Sequence, residues 1–200
     1  MIEKLTGEAY IEHWVRRIAQ GPEEAGTERN GDDTWSHVRD FILPFEPGSI
    51  LEFGCSWGRM LRRIHAQWPE ARLYGVDLCQ TALEGLKKSW PDDLPPKLYH
   101  RSTPPTDIRV DMIFTCTVIQ HITDPDVLAK VFEGFKKILK PGGKLVMFEN
   151  ITFERGGGGA HMIHFGEGDY TALWPELRWE LCPRFMHGYN LHGLMIGTRE

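Results

Sequence analysis

The sequence predicts an α/β protein built on a doubly wound, mostly parallel sheet, and three observations predict it. Between Ser49 and Asn150, short apolar runs alternate with segments whose apolar residues recur every three or four positions, the order of successive βαβ units. Ahead of them lie two stretches of helical period with no strand between. Behind them, the last fifth carries two strand-like runs joined by a tight turn. The expected whole is seven strands in one domain over residues 1–200, parallel except for an antiparallel C-terminal hairpin, with N-terminal helices in front. Residues 1–48 form a helical cap, 49–150 the core, and 151–200 a lid with the terminal strands.

Each element has a local reason. Leu5 to Gln20 sets Ile11, Trp14, Val15 and Ile18 on one helical face. Residues 21–33, GPEEAGTERNGDD, offer glycine and charge with almost nothing to bury, and read as a loop. A second helix runs from Asp33 to Phe45, capped by Asp32 or Asp33, with Trp35, Val38, Phe41 and Ile42 inward. SILEFG is a short buried strand. GRMLRRIHAQW is an amphipathic helix that Pro69 stops. ARLYGVDL is the next strand, and TALEGLKKSW the next helix, with Ala82, Leu83 and Leu86 on one stripe. KLYHR and VDMIFTC follow as the third and fourth strands, the latter apolar on both faces. The long helix DPDVLAKVFEGFKKILK aligns Val127, Leu128, Val131, Phe135, Ile138 and Leu139; PGG ends it, and GKLVMFEN is the fifth strand. The tetraglycine 156–159 is expected to be the hinge of a flexible cover, followed by a short helix around Tyr170 to Trp174. RWELCPRF and LHGLMIGTR then pair antiparallel about a turn near His187 and Gly188.

Composition excludes several classes. A hydrophobic fraction of 41% with 26% charged residues is that of a packed globular chain. A net charge of −5 withholds the broad positive field that duplex binding needs, so no nucleic-acid partner is expected. No apolar stretch reaches membrane-spanning length, and the N-terminus lacks the apolar core of a secretory signal. The four cysteines form no CxxC pair and read as buried, reduced thiols, which points to a cytoplasmic protein without a disulfide framework or zinc site.

An open parallel sheet binds its ligand beyond the carboxyl ends of its strands, where strand order reverses. The first strand ends in Glu52-Phe53-Gly54-Cys55-Ser56-Trp57-Gly58 and runs into a helix. Gly54 lets the chain turn tightly off the strand, and Gly58 lets the helix N-terminus approach a ligand with its free N–H groups. The second strand ends at Asp77, where a carboxylate can accept two hydrogen bonds from a ribose diol. A dinucleotide site asks for GxGxxG; this chain has GxxxG with Trp57 inside it, which would crowd a pyrophosphate and disfavours NAD. No GxxxxGK[ST] occurs, which disfavours ATP. The arrangement reads as a site for a nucleoside.

Taken together, ILEFGCSWGRML, YGVDLCQTAL, VDMIFTCTVIQHI and LKPGGKLVM resemble, in order and spacing, the successive motifs of class I S-adenosylmethionine-dependent methyltransferases. The resemblance covers roughly residues 49–150 and implies a Rossmann-like sheet, S-adenosyl-L-methionine as cofactor and methyl transfer as the activity. It implies that Gly54, Cys55, Ser56 and Gly58 form the loop around the methionine part, with Glu52 acting through water or on the cofactor's amino group. Asp77 would hold the ribose hydroxyls, Leu78 would pack on the adenine, and Thr115, Cys116 and Thr117 would line the floor beneath the sulfonium.

Three departures from the family pattern matter. Ser56 replaces the second glycine of the usual loop, and the bulky Trp57 follows it. Arg101-Ser102-Thr103 stands where an acidic residue usually reads the adenine amino group, which leaves Ser102 for that contact. Some relatives bind a divalent metal through ExxEH after the fourth strand; here Thr117-Val118-Ile119-Gln120-His121 lacks both carboxylates, so no metal is expected. The same region has nothing like the Asn/Asp-Pro-Pro-aromatic motif of nucleic-acid amino-methyltransferases. With the acidic balance, this points to a small-molecule methyl acceptor; oxygen is the first expectation for the methylated atom and nitrogen the second.

Methyl transfer from a sulfonium needs alignment, exclusion of water and a route for one proton. His121, His161 and His164 are the candidates to take that proton. The alternatives are a capping or packing role for His121, and a substrate contact or plain surface role for His161 and His164. Trp14 and Trp35, with the segment 156–174, are expected to wall and cover the acceptor pocket. A competing reading is a cofactor-binding domain that no longer catalyses and acts through a partner protein; Ser56, Trp57 and the missing third-strand acid support it.

Overall fold

The structure, a computed structural model, describes residues 4–22, 31–91, 94–151, 160–163, 165–187 and 190–200. Two helices lead, α1 (Gly7–Ala19) and α2 (Gly31–Ile42). Strands and helices then alternate through β1 (Ser49–Phe53), α3 (Arg59–Gln67), β2 (Arg72–Asp77), α4 (Gln80–Lys88), β3 (Lys97–His100) and β4 (Val110–Cys116). A short 3₁₀ turn, Ile119–His121, leads to α5 (Pro125–Ile138) and β5 (Leu139–Asn150). The chain closes with α6 (Glu167–Ala172), β6 (Arg178–Leu181), β7 (Phe185–His187) and β8 (Asn190–Thr198). Among the described residues, no helix is long and apolar enough to cross a membrane.

The sheet runs β3-β2-β1-β4-β5-β8-β6, with β7 also on β8. β1 to β5 are mutually parallel, and β8 enters antiparallel between β5 and the β6–β7 edge. The doubly wound architecture is as expected, but the described residues form eight strands rather than seven. The stretch expected as one strand, RWELCPRF, is two. Its ends pair with opposite halves of β8, Leu181 with Met195 and Phe185 with His192. Between them Cys182 still donates its N–H to Leu194 O, but Pro183 has no N–H to give, and the ladder stops there. α5 starts where its sequence dictates: Asp124 accepts from the N–H groups of Asp126 and Val127, with Pro125 in the first turn.

Because side chains alternate along a strand, neighbours in sequence serve opposite layers. Leu51, Ile113 and Met147 join Phe135 of α5 and Tyr170 of α6 in one core; Ile50, Phe114 and Phe148 join Leu61, Ile64 and Leu86 in the other. Trp35, expected at the acceptor pocket, packs with Phe41 against the second core instead. β1 and β4 are adjacent, while the chain goes outward from β1 to β2 and from β4 to β5 in opposite directions. Strand order therefore reverses at their carboxyl ends, and a crevice opens there.

Candidate active site

The turn after β1 is shaped by backbone angle and by space. Gly54 and Gly58 both sit at φ +78°, and Ser56 at +46°. A Cβ on Gly54 would meet Val118 Cγ2 at 2.3 Å, and one on Gly58 would meet Leu86 Cδ1 at 2.2 Å, so a side chain at either position would be strained and would displace its neighbour. The strained Ser56 gains a compensating bond, since its N–H donates to Asp77 Oδ2 at 2.7 Å. Cys79 N–H donates to Oδ1 at 2.9 Å. The carboxylate of Asp77 is thus clamped between the ends of β1 and β2, and each oxygen keeps a lone pair for a further donor. Burial raises its pKa, and the N–H groups of Cys79, Ser56 and Leu78 pull the other way. Ser56 Oγ is buried and has no partner within the protein.

Trp57 does not enter the crevice. Its indole N–H donates to Ile18 O of α1 at 3.0 Å, and its ring lies where a Cβ on Gly85 of α4 would approach within 2.2 Å. The indole is a spacer between α1 and α4, and it leaves the crevice open as a cavity of about 390 Å³. Gly54, Ser56, Asp77, Leu78, Ser102, Cys116 and Thr117 line it, together with Tyr10, Trp14 and Arg17 of α1. A clamped carboxylate, an unpartnered hydroxyl and a cradle without side chains fit a nucleoside with a polar tail.

Other expected residues do not reach this cavity. Cys55 turns back beneath the loop, against Gly75, and Gly58 lies behind it at the start of α3. Glu52 is buried next to Arg59, with Oε2 lacking a partner; burial pushes its pKa up to about 8, against the pull of the Arg59 charge. Thr115 faces the opposite layer from Cys116 and gives its hydroxyl hydrogen to Glu149 Oε1 at 2.8 Å. His164 and the tetraglycine 156–159 lie outside the described residues.

His121 and His161 do meet at the cavity, in a cluster of rings. Trp14 lies 4.3 Å from the His121 ring, His161 lies 5.9 Å from it, and His13 stacks on His161 at 5.1 Å. Burial holds the His121 pKa down at about 3, against the pull of its bond to the His161 carbonyl; His161, Arg17 and His13 add to the depression. Residues 160–163 are tied to the N-terminal segment through their backbone carbonyls. Leu5 N–H donates to Ala160 O at 2.8 Å, Lys4 Nζ to Met162 O at 2.7 Å, and the Thr123 hydroxyl to Leu5 O. Among the described residues, no group of three or more His, Cys, Asp or Glu side chains is placed to hold a metal ion.

Sequence reasoning missed Tyr10, Arg17, Gln120, Asn150 and the buried Glu149. Arg17 lies one turn beyond Trp14 on the same face of α1, a spacing that could have revealed it. Glu149 and Asn150 are two polar residues that follow the buried apolar run Leu145–Phe148 at the carboxyl edge of β5, which was also a readable signal.

Residues 50–143 match the family described as a methyltransferase domain. A malonyl-[acyl-carrier protein] O-methyltransferase of Xylella fastidiosa is 33% identical over 111 residues, 54% of this chain and 36% of that protein. One of Hahella chejuensis is 26% identical over 114 residues, 53% and 38% of the two chains. These matches thus span little more than a third of either relative. Among solved structures, the 1,6-didemethyltoxoflavin-N1-methyltransferase of Burkholderia thailandensis superposes with a TM-score of 0.75 at 16% identity, over 100% of this chain and 93% of that one. The N-methyltransferase NodS of Bradyrhizobium japonicum gives 0.69 at 16% identity, over 95% and 98%. At such identities the likeness is one of fold. The family match covers residues 50–143, a little under half of the chain, and the likeness to the solved methyltransferases is one of fold over nearly its whole length.

Proposed function

We propose that the protein transfers a methyl group from S-adenosyl-L-methionine to a small-molecule acceptor, at oxygen and without a metal ion, in the cytoplasm. The observation that carries this reading is the clamped Asp77 carboxylate facing a cavity at the β1–β4 reversal, with Trp57 turned away from it. Asp77 would take the ribose diol, Leu78 and Ser102 would border the adenine, and Gly54 and Ser56 the methionine part. Arg17, on the roof near that loop, would pair with the methionine carboxylate. When bound, the cofactor supplies an activated methyl group on a sulfonium. The chain's own task is to align the acceptor and keep water out. Tyr10, Trp14, His121 and Met162 wall the remaining space with rings and a thioether, while Asn150 and Asn190 offer amides to orient a polar acceptor. The choice of oxygen leans on the two malonyl-[acyl-carrier protein] O-methyltransferases among the relatives.

Titration calorimetry with S-adenosylhomocysteine tests the cofactor half. Binding that the Asp77→Ala variant weakens is expected, and no binding by the unaltered protein would refute the reading. Transfer of labelled methyl groups across carboxylic acids, phenols, alcohols and amines tests the rest. Tight binding without transfer to any of them would favour a domain acting through a partner protein.

A further inference from the structure

The loop after β4 carries a chain of hydrogen bonds whose direction can be fixed atom by atom. It begins at the backbone N–H of Asn150, which can only donate. That nitrogen lies 2.6 Å from one end of the buried Gln120 side chain, so this end is the carbonyl oxygen Oε1. The other end is therefore the amide nitrogen, a donor only, and it lies 3.3 Å from Nε2 of His121. Nε2 must present its lone pair. The ring proton is then on Nδ1, 3.2 Å from the carbonyl oxygen of His161, which can only accept. A backbone donor at one end and a backbone acceptor at the other leave one consistent assignment of amide and tautomer. Gln120 also ties the cover down directly: its backbone carbonyl accepts from Ile163 N–H at 2.8 Å, and its side-chain amide nitrogen lies 3.7 Å from Met162 Sδ.

The geometry points to Gln120 as a positioning residue that holds His121 as a neutral, Nδ1-protonated ring and links the end of β5 to the cover segment 160–163. Both ring nitrogens are committed, so His121 cannot take a proton without breaking its bond to Gln120. It is a wall of the cavity and a strut, and the proton of the reaction goes elsewhere. This consequence rests on the methyltransferase reading of the cavity; the strut does not. Under that reading, an acceptor oxygen serves best if it is ionised before it enters, as in a carboxylic acid.

Long-range ¹H–¹⁵N spectra of the uniformly labelled, ligand-free protein test the strut, with His121 assigned by its loss in His121→Phe. Expected are a protonated Nδ1 and a lone-pair Nε2, unchanged from pH 5 to pH 8. Gln120→Glu keeps the acceptor for Asn150 N–H but puts a carboxylate oxygen against Nε2. The ring should then gain a second proton and titrate with a midpoint at least three pH units above that of the unaltered protein. A proton on Nε2 in the unaltered protein would overturn the assignment, as would a His121 spectrum that Gln120→Glu leaves unmoved. Should that variant not fold, Gln120→Leu replaces it: exchange at Asn150 N–H should quicken at least tenfold, and an unchanged rate counts against the strut. A failed S-adenosylhomocysteine titration alongside the expected tautomer would remove the methyltransferase reading and leave the strut standing.

Discussion

Replacing Glu149 by Gln should change how the protein's stability responds to pH. The Glu149 carboxyl is wholly buried on β5. Oε1 accepts from the Thr115 hydroxyl at 2.8 Å and from Val118 N–H at 3.2 Å, while Oε2 has no partner. Burial outweighs those donors and pushes the pKa from 4.5 up to about 7. An acid whose folded pKa is raised favours the native state while it is protonated. That contribution is complete below pH 4.5 and is lost as pH rises through 7. At 1.36 kcal/mol per unit, the shift corresponds to about 3 kcal/mol across that window. Gln imitates the protonated acid and keeps an oxygen for Thr115 and Val118, but it cannot ionise. Glu149→Gln should therefore match the parent protein at pH 4 and exceed it by about 3 kcal/mol at pH 8, measured by urea unfolding at intervals between. Glu52, raised to about 8 by the same cause, is present in both proteins and tilts both curves alike, so the difference isolates Glu149. Parallel curves would refute the reasoning, and so would a Gln variant that is the weaker one at pH 8.

Asp77→Ala removes a clamped acceptor and should weaken S-adenosylhomocysteine binding by about 1.5–3 kcal/mol, or roughly 10- to 150-fold, by calorimetry; unchanged affinity would place the ribose elsewhere. Arg17→Met should lower the same affinity and flatten its dependence on salt. An equal slope in both proteins would show that Arg17 faces no anion. Gly58→Ala puts a Cβ at φ +78° and 2.2 Å from Leu86 Cδ1. Left-handed strain and overpacking together should cost about 2–4 kcal/mol of stability, seen as a fall in thermal midpoint, and a neutral result would mean that the turn relaxes freely.

The parts of this molecule that could be read in advance are those whose causes lie close together in the chain. Apolar periodicity within ten residues marks each core strand and helix, and two glycines plus a strand-closing carboxylate mark the crevice. Some errors were correctable from rules equally local. Thr115, Cys116 and Thr117 were grouped as one lining surface, yet alternation along a strand must send Thr115 to the layer opposite Cys116, where it meets Glu149. Pro183 inside RWELCPRF likewise announced a break in the ladder. The far side of the crevice, at Trp57 and His121, is different in kind, because its causes are distant. Trp57 faces away from the crevice on account of Ile18, 39 positions upstream, and His121 is fixed by His161, 40 positions downstream. The cover is tied by Lys4 and Leu5 to Met162 and Ala160, the first of these bonds spanning 158 positions. Such bonds join backbone groups or generic side chains that every sequence supplies, so no residue type announces them. What the sequence does announce is a chemical requirement that one residue type alone can meet, such as a side chain absent at positive φ or a carboxylate facing a diol. The end of the crevice at Gly54 and Asp77 is built from such requirements, and the end at His121 from proximity, which only folding creates.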